Sequence, residues 1–145
     1  MPRLRIPRWP KTDWLAFGEA LVVLTLVRIA LALMNFKRIQ RISVALVRRL
    51  APSPDNGTPE TDAKLSRAVR RAAIFVPGAK CLAQATAAMI VTARRGLRSR
   101  MTIGVKLGSF EAFGAHAWLE TPSGIPVGGD EAAQFAPLMT VDPYV

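Results

Sequence analysis

The chain contains one cysteine and one histidine, and each is placed where a nucleophile and its base could act. Cys81 opens an apolar helical pattern, and His116 begins a strand-like segment. An acid, Asp130, follows beyond a turn. In acyl-group chemistry a thiolate attacks the acyl carbon, an imidazole carries the proton and a carboxylate orients the imidazole. These three residues predict that chemistry, with a covalent thioester.

The predicted position of Cys81 at a helix start bears on its reactivity. Pro77-Gly78 ends the preceding helical pattern, and the positive end of the next helix favours a thiolate, as does the neighbouring Lys80. Free backbone N–H groups of the first turn could bind the oxyanion that forms on attack. The alternative is an inert cysteine, because a lone cysteine among apolar residues is usually a small core residue.

Two strand-like segments, 116–121 and 125–129, predict a β-hairpin. If residues 122–124 form a three-residue loop, His116 falls opposite Asp130. Directly opposed side chains have Cβ atoms about 5 Å apart, which suits a carboxylate that orients an imidazole.

The hairpin register leaves alternatives for the orienting acid. A two-residue loop would place Glu131 opposite His116 instead of Asp130. Glu120 lies on the same strand face as His116 and is a further rival.

Apolar periodicity predicts four helices followed by a small antiparallel sheet, an α+β fold. The helices run from Asp13 as N-cap to about Met34, through 39–50, from a Thr58-Pro59 cap towards Pro77-Gly78, and from Cys81 to about Arg95. Residues 101–107 predict a strand, 108–114 a loop, and then the hairpin. The segment 132–145 contains two prolines and predicts a loop or a single helical turn.

Length and composition favour one globular domain. The 145 residues are 50% hydrophobic, which excludes a disordered chain. We expect residues 1–57 to form a helical region packed on or docking to a catalytic core of residues 58–145. One cysteine excludes an internal disulfide, and one cysteine with one histidine excludes a Cys/His zinc cage within the chain. We expect no cofactor and no metal.

The net charge of +10 is unevenly distributed. Residues 1–100 carry 19 Lys and Arg against 5 Asp and Glu, or +14, whereas residues 101–145 carry 1 against 5, or −4. The basic part therefore predicts an acidic partner. Few aromatic residues interleave with the arginines, which argues against nucleic acid and leaves anionic lipid or an acidic protein.

The N-terminal apolar stretch resembles a signal peptide at first sight, because basic residues precede it. Glu19 and Arg28 interrupt it, and no small-x-small cleavage pattern follows. Its longest uncharged run, 20–27, is far shorter than the ~20 residues that span a bilayer. We interpret it as a buried or surface-docking helix of a cytoplasmic protein, with peripheral membrane contact as the alternative.

Five stretches of the chain resemble the lasso-peptide maturation proteases, the transglutaminase-like leader peptidases of ribosomal peptide biosynthesis. They are Cys81-Leu82-Ala83-Gln84-Ala85, Arg94-Arg95-Gly96-Leu97, Ile103-Gly104-Val105-Lys106, His116-Ala117-Trp118-Leu119-Glu120 and Phe135-Ala136-Pro137-Leu138. The resemblance implies a transglutaminase/papain-like cysteine protease core and cleavage of a precursor's leader peptide. It maps Cys81 to the nucleophile, His116 to the base and Asp130 to the orienting acid.

The same resemblance implies partners. Nothing in residues 1–57 resembles the family's fused recognition module, so a separate leader-recognition protein is implied, followed by an ATP-dependent lasso cyclase. Where the family commonly carries an arginine three residues after the cysteine, this chain has Gln84. The competing hypotheses are a transglutaminase or amidase on the same scaffold and a non-catalytic basic binding module.

Overall fold

The computed structural model describes residues 9–106 and 114–144. These residues confirm the predicted α+β order, helices first and then an antiparallel sheet. The predicted loop 108–114 lies, apart from Gly114, outside the described residues. The elements are α1 (Lys11–Leu33), α2 (Phe36–Leu50), α3 (Pro59–Phe75), α4 (Cys81–Arg94), β1 (Arg100–Lys106), β2 (Ala115–Thr121), β3 (Gly124–Val127), α5 (Gly129–Ala132) and β4 (Phe135–Val141).

A capping box starts α3, as its sequence predicts. The Thr58 hydroxyl accepts a hydrogen bond from the Thr61 backbone N–H, and the Thr61 hydroxyl accepts one from the Thr58 N–H. Pro59 occupies the first helical position, where its missing N–H costs no intrahelical bond.

The predicted start of α1 is wrong by one turn. Pro10, not Asp13, is the N-cap, and Asp13 lies in the first turn. Its carboxylate instead reaches α3, with Arg67 Nε at 3.7 Å and an Arg71 terminal nitrogen at 3.6 Å. These ion pairs help to fix α1 against α3.

The core is organised around α4, which is buried along almost its whole length. This helix packs on the sheet, mainly on β2, and also on α1, α2 and α3. Its many alanines let these neighbours approach closely. By contrast, α1 and α2 pack chiefly on other helices, so they form an outer layer. One hydrophobic cluster joins buried residues of α1 and α2 with those of α3, α4 and the sheet.

The sheet has the strand order β3-β2-β1-β4 with antiparallel neighbours. In the central pair, Gly104 of β1 lies opposite His116 of β2. On its other side Gly104 pairs with Pro137 of β4, at a register shift. The candidate base therefore lies on a strand that has neighbours on both sides.

The prediction of a loop or single turn over 132–145 is wrong, because half of this segment forms β4. Pro137 argues against a central strand, since it cannot donate to a ladder. The structure resolves this by placing β4 at the sheet edge, where a proline is tolerated. The helical turn, α5, lies just before it.

The predicted hairpin exists, but its register at the turn is wrong. Thr121 pairs with Gly124, so the loop has two residues, and an irregularity on β3 then brings Leu119 opposite Val127. Because β3 ends at Val127, Asp130 lies in α5 and is not opposite His116 in the sheet. An irregularity of this kind leaves no pattern in the sequence that periodicity could detect.

Candidate active site

Cys81 is the first residue of α4, as predicted, and the loop before it is held from two sides. Arg28 Nε of α1 donates a hydrogen bond to the Pro77 carbonyl at 3.3 Å. Gln84 Nε2, one turn into α4, donates to the Ala79 carbonyl at 2.8 Å. Gln84 thus supports the loop that precedes Cys81.

Gly78 allows this loop to pack tightly under Arg28. Its φ of +74° is a backbone conformation that favours glycine. A Cβ at this position would also lie 2.7 Å from Arg28 Nε. The Pro77-Gly78 pair, which the sequence identifies only as a helix stop, is therefore also the place where α1 contacts the loop.

The first turn of α4 leaves backbone donors available beside the thiol. Lys80 is the N-cap and supplies no side-chain cap to the helix. Across the described residues, no backbone carbonyl accepts from the N–H groups of Cys81, Leu82 or Ala83. Such unpaired donors at a helix start stabilise negative charge, so this turn can serve as an oxyanion site.

His116 is buried, with its ring between two aromatic side chains. The Trp118 ring is stacked at a centroid distance of 5.9 Å, and the Phe135 ring lies at 5.1 Å. Trp118 and Glu120 follow His116 on the same strand face, and Trp118 Nε1 donates to Glu120 at 2.9 Å. His116, Trp118 and Glu120 are thus in contact along one strand face, and these contacts fix the plane of the imidazole.

Gly104 in the neighbouring strand provides the space that the Trp118 side chain needs. A Cβ there would lie 2.8 Å from the six-membered ring of Trp118 and 2.8 Å from the Ala136 carbonyl. Gly104 pairs with His116. Its lack of a side chain lets Trp118 lie across β1 next to the imidazole.

The imidazole is oriented by a backbone carbonyl that the sequence does not reveal. His116 Nε2 lies 2.9 Å from the Gly128 oxygen. A carbonyl oxygen only accepts, so Nε2 is the protonated nitrogen in this bond and Nδ1 is left to accept a proton. Gly128 reaches this place with a φ of +78°, and a Cβ on it would lie 3.1 Å from Nε2. In the sequence, the Gly128-Gly129 pair indicates a turn, but it does not indicate that a carbonyl of this turn contacts His116.

The three acids considered from the sequence have different surroundings. Asp130 has a 96% exposed carboxylate that lies 3.9 Å from Arg70. Glu131 is 65% exposed and lies nearer to the base, with Oε2 at 3.9 Å from His116 Nδ1. Glu120 does not contact His116 directly, because its carboxylate accepts hydrogen bonds from Trp118 Nε1 and from Arg100 Nε, the latter at 2.6 Å.

Glu120 has a clear charge state as a result of these bonds. Burial acts to raise the pKa of Glu120, but the hydrogen bonds from Trp118 and Arg100, with the Arg100 charge, outweigh it and hold the pKa below its ordinary value. Glu120 is therefore an anion that anchors Trp118, which in turn packs on His116.

Cys81 and His116 line the same surface cavity, which has a volume of about 420 Å³. Other cavities, with volumes of about 390, 300 and 350 Å³, are lined by neither residue. A cavity of this size accommodates a few residues of an extended peptide. Side chains around it include those of Arg70, Gln84, Asp130, Glu131 and Phe135.

No metal is needed to explain this arrangement. Within residues 9–106 and 114–144, no group of three or more His, Cys, Asp or Glu side chains is placed to hold a metal ion. The chemistry that the cavity offers is that of a thiol, an imidazole and unpaired N–H donors, which together form and break acyl thioesters.

Comparison with known proteins identifies the family of the chain. No curated protein and no solved structure matches the chain. A family model for the transglutaminase-like superfamily, which includes cysteine proteases, matches residues 23–140, from within α1 almost to the end of β4. That match covers more than half of the chain and includes Cys81, His116 and Asp130. The chain therefore belongs to the transglutaminase-like superfamily.

Proposed function

We propose that this protein is a cysteine peptidase that removes the leader from a lasso-peptide precursor, with the Cys81 thiolate attacking the bond between leader and core. The peptidase assignment rests on one observation, that Cys81 and His116 line one cavity. Cys81 lies at the start of α4, where backbone N–H groups have no carbonyl partner among the described residues. The lasso assignment depends on the resemblance of the short stretches around these residues.

The proposed reaction proceeds through a thioester. His116 Nδ1 accepts the thiol proton while Gly128 holds Nε2, and the thiolate then attacks the peptide carbonyl. Backbone N–H groups at the start of α4 bind the oxyanion. The imidazolium returns the proton to the leaving amine, and a water molecule, deprotonated by the same imidazole, hydrolyses the thioester.

An acid beside His116 would stabilise the imidazolium during this cycle. The resemblance assigns this role to Asp130, whereas the distance to the imidazole favours Glu131. Neutral variants of the two residues separate the two assignments.

The proposed partners follow from the resemblance and from charge. A separate leader-recognition protein would hold the precursor, and an ATP-dependent cyclase would close the ring after cleavage. The +14 charge of residues 1–100 suits acidic surfaces on such partners or on the leader.

Mass spectrometry of the precursor incubated with the protein and its recognition partner tests the proposal. We expect two fragments separated at the leader–core junction. Cys81→Ala should abolish them, and Ser53→Ala, in an exposed loop away from the cavity, should not. A conjugate of increased mass would indicate acyl transfer instead. Cleavage that survives Cys81→Ala would refute the proposed nucleophile, and an intact precursor bound to the complex would favour a non-catalytic scaffold.

A further inference from the structure

A row of apolar side chains on α1 is left uncovered by the rest of the described chain. At 100° per residue its five members fall within about 60° of one another around the helix axis. Each side chain is between 50% and 78% exposed. The opposite side of the helix carries the buried residues that pack on α3 and α4. The row consists of Leu15, Val22, Leu26, Ile29 and Leu33.

The row is long and contains no unpaired charge. It extends over about 27 Å of helix. The acid closest to it in the helical projection, Glu19, is paired with Arg94 at 3.5 Å and Arg95 at 3.9 Å. An exposed apolar surface of this extent on a folded domain marks an interaction site.

By length and composition, α1 could cross a membrane. However, its other side belongs to the core, where Ala20 and Leu24 are almost fully buried. Spanning a bilayer would withdraw these residues from α3 and α4. The helix is therefore suited to lie along a bilayer surface rather than to pass through it.

Cations stand at both ends of the row. Lys11 lies one turn ahead of Leu15 on the same helix face, and it is exposed. Beyond Leu33, the exposed Lys37, Arg38 and Arg41 begin α2, which contains no acidic residue. Lipid phosphates would meet such cations where the apolar row ends.

We propose that α1 and the start of α2 dock the protein on an anionic lipid bilayer, with the row in the interface and these cations on the lipid phosphates. The charge pattern favours lipid over a partner helix. Helical partners are selected by charges that flank an apolar seam. Here one flank of the row is uncharged, with Gly18, Thr25 and Ala32, and the acid on the other flank, Glu19, is already paired with Arg94 and Arg95. This docking does not depend on the proposed peptidase activity.

Co-sedimentation of the full chain with lipid vesicles tests the docking. We expect binding to vesicles of equimolar phosphatidylcholine and phosphatidylglycerol, and much weaker binding to phosphatidylcholine alone. The double variant Leu26→Gln, Ile29→Gln should lose roughly tenfold or more of the binding. Leu138→Gln, at an apolar residue of β4 that is more exposed than Leu26 and Ile29, is the matched control and should bind normally.

A second variant tests the charges without altering the row. Replacing Lys37, Arg38 and Arg41 by glutamine should weaken binding to the anionic vesicles by roughly fivefold per cation and reduce its salt dependence. Circular dichroism of each variant confirms that the fold is intact.

Four results would overturn the docking. Equal binding to both vesicle types would show that the cations do not contact lipid phosphates, and resistance to alkaline extraction would show insertion rather than surface docking. A dimer in light scattering that dissociates in the Leu26→Gln, Ile29→Gln variant, without vesicle binding, would assign the row to a second copy of the chain. A monomer that binds neither vesicle would assign it to a protein partner.

Discussion

The Gly128 carbonyl oxygen and His116 Nε2 lie 2.9 Å apart, so a main-chain atom orients the only histidine of the chain. The carbonyl selects the tautomer in which Nδ1 can accept a proton. In this arrangement the position of the base depends on a turn whose φ of +78° favours glycine.

Substitution of Gly128 by alanine should therefore impair catalysis. The new Cβ would lie 2.8 Å from the Ala117 carbonyl and 3.1 Å from Nε2, which displaces the carbonyl or the ring. We expect kcat to fall about tenfold or more, since small displacements of a catalytic group are costly. Steady-state kinetics on the precursor peptide measures the effect.

Gly96→Ala is the matched control for this substitution. Gly96 has a similar φ of +72°, but a Cβ there would have no atom within 4 Å. Both variants carry the backbone cost of about 1–2 kcal/mol, and Gly96 does not line the cavity that holds Cys81 and His116. Equal losses of activity in the two variants would show that backbone strain, and not the imidazole, explains the effect.

Neutral variants of two neighbouring acids should differ in activity. Glu131 lies 3.9 Å from Nδ1, whereas Asp130 points to Arg70. Because both side chains are largely exposed, we expect the loss of either charge to change the activation free energy by no more than about 1 kcal/mol. We expect Glu131→Gln to lower kcat about fivefold and Asp130→Asn to change it less than twofold. The reverse order in the same kinetic assay would assign the stabilisation of the imidazolium to Asp130.

Gly104→Ala should destabilise the fold and with it the site. The Cβ would meet the Trp118 ring and the Ala136 carbonyl, each at 2.8 Å. Overpacking of this kind costs about 1–3 kcal/mol of the free energy of unfolding, which denaturant titration measures. Gly18→Ala in α1, where nothing lies within 4 Å, should instead stabilise by about 0.5–1 kcal/mol. A Gly104→Ala variant as stable as the parent would contradict the packing argument.

The charge of Glu120 should make the stability of the fold depend on pH. Its pKa is lower in the folded protein than in the unfolded chain, so the stability that its anion contributes is present at neutral pH and is lost as the pH falls through the folded-state value. Glu120→Gln should therefore cost about 1 kcal/mol at neutral pH, and the cost should disappear in acid. Urea titrations of both proteins over this range measure the difference. A cost that persists after Glu120 is protonated would mean that shape, not charge, anchors Trp118.

Local signals predicted the elements that carry the chemistry. The Pro77-Gly78 stop followed by an apolar run placed Cys81 at the start of a helix, and Thr58-Pro59 marked the start of α3. These predictions succeeded because helix ends are determined by a few neighbouring residues. The α+β order followed from the same periodicities.

Contacts between distant segments could not be predicted in this way. Pro137 argued against a strand, and only the edge position of β4 makes it acceptable. Asp130 is not opposite His116 because β3 ends at Val127 and the chain turns into α5 before the ladder reaches that position. Main-chain atoms such as the Gly128 oxygen carry no residue signature, so the group that orients His116 was not available to sequence reasoning.

The hydrogen bond from Arg28 to the Pro77 carbonyl connects the N-terminal helix to the loop that precedes Cys81. A shortened chain that began at residue 58 would lack this brace on the nucleophile's loop, together with the α1 side chains that fill the core beside α4. We therefore expect a fragment without α1 to be less stable and to hold the loop before Cys81 less firmly. A movement of α1, for example when it binds a lipid surface, would be transmitted through this hydrogen bond to the loop that precedes Cys81.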